Sequence, residues 1–159
     1  MDEFLPNSGA AVPVVRILVV DDFAPFRHFL SSTLNREPGW HVIGEASDGR
    51  VAVQAADNLR PDLILLDIGL PSLGGLEAAR HIRTLAPFSQ ILFVSQELSP
   101  EIVQAALQLG ARGYVLKSDT GRELPTAIKA VLRGDIYVSR SLMRHGSTYA
   151  IEAHQLCST

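Results

Sequence analysis

The chain has 159 residues, 47% of them apolar, and this size and composition predict one soluble globular domain with a substantial core. Its 14 basic and 17 acidic residues give a net charge of −3, which argues against sequence-independent nucleic-acid binding. A single cysteine, Cys157, excludes an internal disulfide. With neither a membrane-length apolar run nor a secretory leader, we expect a reducing, cytoplasmic location.

Short runs of Val, Ile and Leu alternate along the chain with segments whose apolar residues recur at helical spacing. The predicted strands are 16–20, 40–46, 63–66, 91–94 and 113–116. Pro25 and Pro100 suit the first turns of helices, and Gly110 and Gly134 suit their ends. The apolar faces predicted for the first two helices include Phe26 and Phe29 in the first helix and Val51 in the second. This alternation predicts an α/β fold with a parallel sheet and right-handed crossovers.

The segments outside this pattern have no clear periodicity. We expect a loose N-terminal segment at 1–14, one domain at 15–139, and a linker or tail at 140–159. Within the domain, residues 136–138 are expected to pack on the last helix.

Polar residues stand at the ends of four of the predicted strands. Asp21 and Asp22 follow the first strand, Asp67 the third, Ser95 the fourth and Lys117 the fifth. The carboxyl ends of parallel strands share one edge, where ligands bind in open α/β sheets, so these side chains are expected to converge. Each aspartate alone is equally typical of a helix cap or turn. Five complementary groups at matching positions favour a functional site.

Such a cluster suits the chemistry of phosphate. Neighbouring carboxylates repel unless a cation lies among them, and their hard oxygens are ligands that suit Mg²⁺ or Mn²⁺. The Lys117 ammonium can meet a phosphate oxygen and the Ser95 hydroxyl can donate to another. Asp67 can then act as a nucleophile toward phosphorus, and it needs no general base because it is already ionised.

The acidic pair in VVDD, the block LLDIGLPSLGG, Ser95 after a hydrophobic strand and the segment GYVLKSD together resemble a response-regulator receiver domain. The resemblance covers residues 16 to about 139, and RILVVDD, GARGYVLKSD and GDIYVSRSL are most similar to receivers of the NarL/FixJ type. It implies the CheY-like, flavodoxin-like fold, a doubly wound (βα)5 sheet of five parallel strands in the order 2-1-3-4-5, an order taken from the family.

The family's metal site carries over to four positions of this chain. Asp67 would be the phosphoacceptor. Asp22 and Asp67 would ligate Mg²⁺ together with the backbone carbonyl of Gly69, and Asp21 would support the metal indirectly.

The remaining family roles fall on three further residues. Lys117 would pair with the phosphoryl group, Ser95 would hydrogen-bond it and shift inward, and Tyr114 would be the aromatic switch that follows Ser95. Two positions depart from the common pattern. Ser118 replaces a proline after the lysine, so no cis peptide bond is expected there, and Gln96 is larger than the usual residue after the switch serine.

The resemblance implies a signalling domain rather than an enzyme with an external substrate. A sensor histidine kinase would phosphorylate Asp67, and the altered conformation would control a partner or output in transcription regulation, with a homodimer as one outcome. About twenty residues follow Ser139, too few for a helix-turn-helix domain, so we expect no DNA binding by this chain alone. It would be a stand-alone receiver or a fragment of a longer regulator.

Three alternatives remain open at this point. A degenerate receiver would serve only as an interaction module. An aspartyl-phosphate phosphohydrolase would need a second acid near the nucleophile, and the sequence Asp67-Ile68-Gly69 lacks one. A flavodoxin-like cofactor binder would need a Ser/Thr/Gly-rich loop after the first strand, where this chain has DDFAPF, and no nucleotide-binding glycine motif is present.

Overall fold

The structure is a computed structural model that describes residues 12–145. Most of the two predicted terminal segments, 1–14 and 140–159, lies outside the described residues, and so does Cys157. The strands are β1 (Val15–Val20), β2 (Trp40–Ala46), β3 (Leu63–Leu66), β4 (Gln90–Ser95), β5 (Gly113–Leu116) and β6 (Tyr137–Val138). The helices are α1 (Ala24–Asn35), α2 (Gly49–Leu59), α3 (Gly75–Leu85), α4 (Pro100–Gln108), α5 (Thr120–Leu132) and α6 (Arg140–His145), and a 3-10 turn spans Lys117–Asp119.

The strands form one parallel sheet in the order β2-β1-β3-β4-β5-β6. Strand residues alternate between two core layers, so that Leu18 and Val20 face one layer while Ile17 and Val19 face the other. Helices α2, α3, α4 and α6 cover the first layer, and α1 and α5 cover the second. The predicted parallel α/β fold and the order of its first five strands are therefore confirmed.

The predicted number of strands was incomplete, because within the described residues the sheet has six. Strand β6 adds Tyr137 beside Gly113 and Val138 beside Tyr114 at the outer edge of β5. Two residues are too few to show a sequence periodicity, so this strand could not be predicted from the sequence pattern. In addition, two predicted core positions, Phe29 and Val51, are 41% and 43% exposed.

A buried polar contact fastens the segment that follows β6. The Ser139 hydroxyl, fully buried, donates to Asp119 Oδ2 at 2.9 Å and accepts from the Leu116 N–H at 3.0 Å. The Ser141 hydroxyl donates to the other oxygen of Asp119 at 3.3 Å. In helix α6, Leu142 is buried in the same core layer as α4. We call the Ser139–Asp119 contact the C-terminal latch.

A second contact reinforces this edge of the sheet. The Tyr137 hydroxyl donates to Glu123 Oε1 at 2.8 Å, and the Arg140 N–H donates to the same oxygen at 3.3 Å. Burial and the hydrogen bond to Glu123 raise the pKa of Tyr137 to about 12. The phenol therefore stays protonated and able to donate throughout the physiological range.

We expect Ser139→Ala to lower the free energy of unfolding by about 1–3 kcal/mol, because it leaves the buried Asp119 oxygen and the Leu116 N–H without their partner. Urea unfolding followed by circular dichroism measures the loss. Ser141→Ala is the matched control and should cost less, since its contact with Asp119 is longer and Ser141 is more exposed. Equal losses in the two variants would contradict the latch.

Candidate functional site

The carboxyl ends of β1, β3 and β5 bring one lysine and two aspartates into direct contact. Asp21 follows β1, Asp67 follows β3 and Lys117 follows β5. Lys117 Nζ lies 2.8 Å from Asp21 Oδ2 and 3.0 Å from Asp67 Oδ2. The lysine at the end of β5 therefore reaches past β4 to the ends of β1 and β3, which are neighbours in the sheet.

The three acidic side chains differ in their exposure to solvent. Asp21 and Asp67 are buried, whereas Asp22 is exposed. The remaining oxygens of the buried pair accept backbone hydrogen bonds, Asp21 Oδ1 from the Phe23 N–H at 2.8 Å and Asp67 Oδ1 from the Ile68 N–H at 2.7 Å. Both buried carboxylates are thus fixed in position.

Burial and charge act on this cluster in opposite directions. Burial raises the pKa of Asp67 above its ordinary value of 3.8, and the Asp21 charge adds to that effect, while Lys117 and the Ile68 N–H offset part of it. For Lys117, burial alone would lower the pKa, but the two carboxylates outweigh it and raise the pKa of the ammonium. The lysine is therefore charged, and the fold disfavours ionised Asp67 in the metal-free site.

The acidic cluster has the donor atoms that a divalent cation requires. One carboxylate oxygen from each of Asp21, Asp22 and Asp67 lies within 4.8 Å of the others. The buried Asp21 Oδ2 makes an ion pair with Lys117 but no well-aligned hydrogen bond, so it retains acceptor capacity. Hard oxygens with one side open to water suit Mg²⁺, and the residues present fit that ion.

A cavity of about 570 Å³ opens above this cluster. Its polar lining includes Asp22, Asp67, Gly69, Ser95, Gln96, Glu97 and Lys117. Its apolar lining is Phe23, Pro25, Phe26 and Phe29, all from the start of α1 and the turn before it. Every residue that the sequence analysis placed at the phosphate and metal site, apart from the buried Asp21, therefore lines one open cavity.

The two predicted switch residues share one backbone neighbour, and only Ser95 of the two lines the cavity. Ser95 is buried at the end of β4, and its hydroxyl accepts from the Glu97 N–H at 3.1 Å. Tyr114 is fully buried, and its hydroxyl donates to the Glu97 carbonyl at 3.0 Å. Its ring centroid lies 6.2 Å from that of Phe93. The Glu97 backbone thus connects Ser95 with Tyr114, a link without a sequence signal.

Phe26 is a member of the site that the sequence analysis assigned only to a helix face. Its ring centroid lies 4.9 Å from Lys117 Nζ. Its position in the sequence could have indicated this role: helix α1 starts at Ala24, two residues after Asp22, so a large residue in its first turn is expected near the acidic pair. The Lys117–Ser118 peptide bond is trans, as the absence of proline there led us to expect.

The loop after β3 holds Asp67 through a close approach of backbone to backbone. The Gly75 N–H donates to the Ile68 carbonyl at 2.8 Å, and a Cβ atom at Gly75 would overlap the Asp67 carbonyl oxygen. Only glycine allows helix α3 to begin so close to the strand end. Gly69 differs, because a Cβ atom there would have no atom within 4 Å.

The model of the response regulator receiver domain family matches residues 17–129, and the chain belongs to this family. The family relationship and the parallel sheet agree in defining a CheY-like receiver fold.

Individual relatives are transcriptional regulators. The chain is 31% identical over 129 residues to the transcriptional regulatory protein YdfI of Bacillus subtilis, covering 81% of this chain and 60% of that protein. It is 34% identical over 126 residues to the nitrate/nitrite response regulator NarL of Escherichia coli, covering 79% and 58%. The crystal structure of a LuxR-family response regulator from Aurantimonas sp. SI85-9A1 superposes with a TM-score of 0.81 at 33% identity, covering 87% and 99%.

The matched region spans about three fifths of the curated relatives YdfI and NarL, 60% and 58% of their lengths. None of the helices in residues 12–145 has the length and hydrophobicity that crossing a membrane requires.

We expect Gly75→Ala to destabilise the fold and to disturb Asp67, because the added methyl group must displace the Asp67 carbonyl. The loss should exceed about 1 kcal/mol, the ordinary cost of a strained core insertion. Thermal unfolding measures it, and Gly69→Ala is the matched control from the same loop. A Gly75 variant as stable as the Gly69 variant would show that the loop can relax.

We expect Lys117→Met to lower the free energy of unfolding by about 2 kcal/mol or more in EDTA, because two buried carboxylates lose their cation. Asp67→Asn should raise the free energy of unfolding at neutral pH. In the wild-type protein the folded pKa of Asp67 is raised, so the stability that its neutral carboxyl provides below pH 3.8 is lost as the pH rises through that folded pKa.

The double variant separates these two effects. If charge repulsion causes the loss in Lys117→Met, adding Asp67→Asn must restore part of the stability. Urea unfolding at pH 7 gives all four values. An Asp67→Asn variant less stable than wild type, or a double variant no better than Lys117→Met, would contradict the electrostatic account.

Proposed function

We propose that this receiver domain accepts a phosphoryl group on Asp67 from a sensor histidine kinase in a Mg²⁺-dependent reaction. The observation that carries the proposal is the bridging position of Lys117 between Asp21 and Asp67, below an open cavity. A buried carboxylate that faces solvent on one side and an ammonium on the other can attack an incoming phosphorus atom.

The transfer follows from the groups at the site. One Asp67 carboxylate oxygen attacks phosphorus, an O–P bond forms, and the P–N bond to the imidazole of the donor histidine breaks. The electron pair remains on the imidazole nitrogen. The Lys117 ammonium offsets negative charge on the phosphoryl oxygens, and the Ser95 hydroxyl donates to one of them.

A metal ion would complete the charge balance. Asp22, Asp67 and the carbonyl of Gly69 would hold Mg²⁺, with Asp21 supporting it from the buried side. When bound, the ion supplies positive charge to the phosphoryl oxygens.

The output is proposed to follow from the link between the two switch residues. A phosphoryl group on Asp67 would attract the Ser95 hydroxyl. In the structure without a phosphoryl group, this hydroxyl accepts a hydrogen bond from the Glu97 N–H. Because the Glu97 carbonyl also holds the Tyr114 hydroxyl, movement of Ser95 changes the packing of Tyr114. The face formed by α4 and β5 then alters its preference for a partner in transcription regulation. Formation of a homodimer is a further proposed outcome of phosphorylation. We propose that residues 15–139 alone do not bind DNA.

Phosphorylation by acetyl phosphate in Mg²⁺ tests the assignment directly. We expect intact-protein mass spectrometry to show one added phosphoryl group on wild type, none on Asp67→Asn, and none in EDTA. Asp57→Asn is the matched control, since Asp57 lies on α2 in an exposed pair with Arg60. Lys117→Met should slow the reaction by about 100-fold or more.

The alternatives give different results in the same assay. Sustained release of phosphate from a small ester would indicate a phosphohydrolase. A folded wild-type protein that takes up no phosphoryl group and binds no Mg²⁺ would be a degenerate receiver that acts as an interaction module. A phosphoryl group that is still added to the Asp67→Asn variant would refute Asp67 as the acceptor.

A further inference from the structure

The Lys117 ammonium lies beside two carboxylates and an aromatic ring. Its Nζ contacts Asp21 Oδ2 at 2.8 Å and Asp67 Oδ2 at 3.0 Å, and it lies 4.9 Å from the centroid of the Phe26 ring. The lysine side chain is 20% exposed, so it is largely withdrawn from water. The ring therefore occupies a side of the ammonium that solvent would otherwise cover.

An aromatic face attracts a cation at this distance. The π-electron quadrupole of a ring within about 6 Å draws an ammonium group toward its face, and the attraction grows as water is excluded. A lysine side chain also loses considerable rotamer freedom when its end is held in one place. A ring beside the ammonium narrows the positions that the end of the side chain can adopt.

The position of Phe26 is itself fixed by helix α1. The helix begins at Ala24 with Pro25 in its first turn, and Leu30 anchors it in the core. Phe26 packs against the same core layer as Leu30, and its ring centroid lies 5.7 Å from that of Phe29. The ring thus rests on a rigid element rather than on a mobile loop.

We infer that Phe26 is a positioning residue for Lys117, and that its ring keeps the ammonium over Asp67 while phosphoryl transfer proceeds. The inference rests on the proposed function. During transfer Lys117 must exchange its contact with Asp67 Oδ2 for a phosphoryl oxygen. The ring keeps Nζ within the cavity through this exchange, because the lysine can pivot over the ring without entering solvent.

The simpler alternative is that Phe26 only fills space between α1 and the sheet. In that case any apolar residue of similar size would serve equally well. Cation attraction and packing therefore predict different orders for a series of substitutions at this position, Phe26→Tyr, Phe26→Leu and Phe26→Met.

The series is tested by beryllofluoride binding with Mg²⁺ and by the rate of phosphorylation from acetyl phosphate. We expect Phe26→Leu and Phe26→Met to weaken beryllofluoride binding by about 3- to 30-fold. In phosphorylation by acetyl phosphate, the maximal rate constant should change more than the acetyl phosphate concentration that gives half of that rate. Phe26→Tyr, which keeps the ring, should stay within about twofold of wild type. Urea unfolding confirms that each variant is folded.

A remote cation–aromatic pair supplies the control. Arg60 lies 5.7 Å from the centroid of the Phe88 ring, which precedes β4 at the opposite edge of the sheet from Lys117. Phe88→Leu removes an aromatic face that meets a cation elsewhere, and we expect it to leave beryllofluoride binding and phosphorylation unchanged.

A double-mutant cycle provides a readout that does not depend on phosphorylation. The stabilities of Phe26→Leu, Lys117→Met and the double variant, measured in EDTA, give the coupling between the two side chains. We expect the loss caused by Phe26→Leu to shrink when Lys117 is already methionine. If the losses in stability of the two single variants simply add in the double variant, the two side chains do not interact and the inference is wrong.

The outcomes also separate this inference from the function on which it rests. A wild-type protein that binds no beryllofluoride would overturn the proposed function, and the positioning role with it. Binding by wild type together with equal affinities for the Tyr and Leu variants would overturn the positioning role alone. Affinity losses in the Leu and Met variants but not in the Tyr variant, together with a coupling between Phe26 and Lys117 in the double-mutant cycle, would support the proposed function and the positioning role.

Discussion

The site depends on one ammonium group between two buried carboxylates. Lys117 reaches from the end of β5 across β4 to Asp21 and Asp67, at 2.8 and 3.0 Å. Without it, two like charges would be buried side by side at the centre of the sheet edge. Even with it, burial raises the pKa of Asp67, so the fold disfavours the ionised carboxylate at this position.

The sequence predicted the location of this site because two simple rules apply together. Buried strands appear as short apolar runs, and parallel strands present their carboxyl ends at one edge. Asp21, Asp67 and Lys117 each follow such a run, so their convergence was foreseeable. The distances between them were not foreseeable, because strand ends define an edge and not the side-chain conformations along it.

Other features depend on contacts between residues distant in sequence. Strand β6 has only two residues and shows no period, and backbone pairing with β5 defines it. The Glu97 backbone joins Ser95 to Tyr114 through hydrogen bonds that no residue type announces. Phe29 was placed in the core by its spacing, yet it lies at the exposed margin of the α1 face, where helical periodicity cannot resolve inside from outside.

The C-terminal latch also bears on where the chain can be truncated or fused to another protein. Asp119 belongs to the same 3-10 turn as Lys117, and its partners Ser139 and Ser141 lie beyond the last strand. A protein cut at the end of β6 would leave the Asp119 carboxylate buried without those hydroxyls. A reporter attached after residue 143 would instead retain them, and its attachment point would be anchored to the turn that carries the lysine of the site.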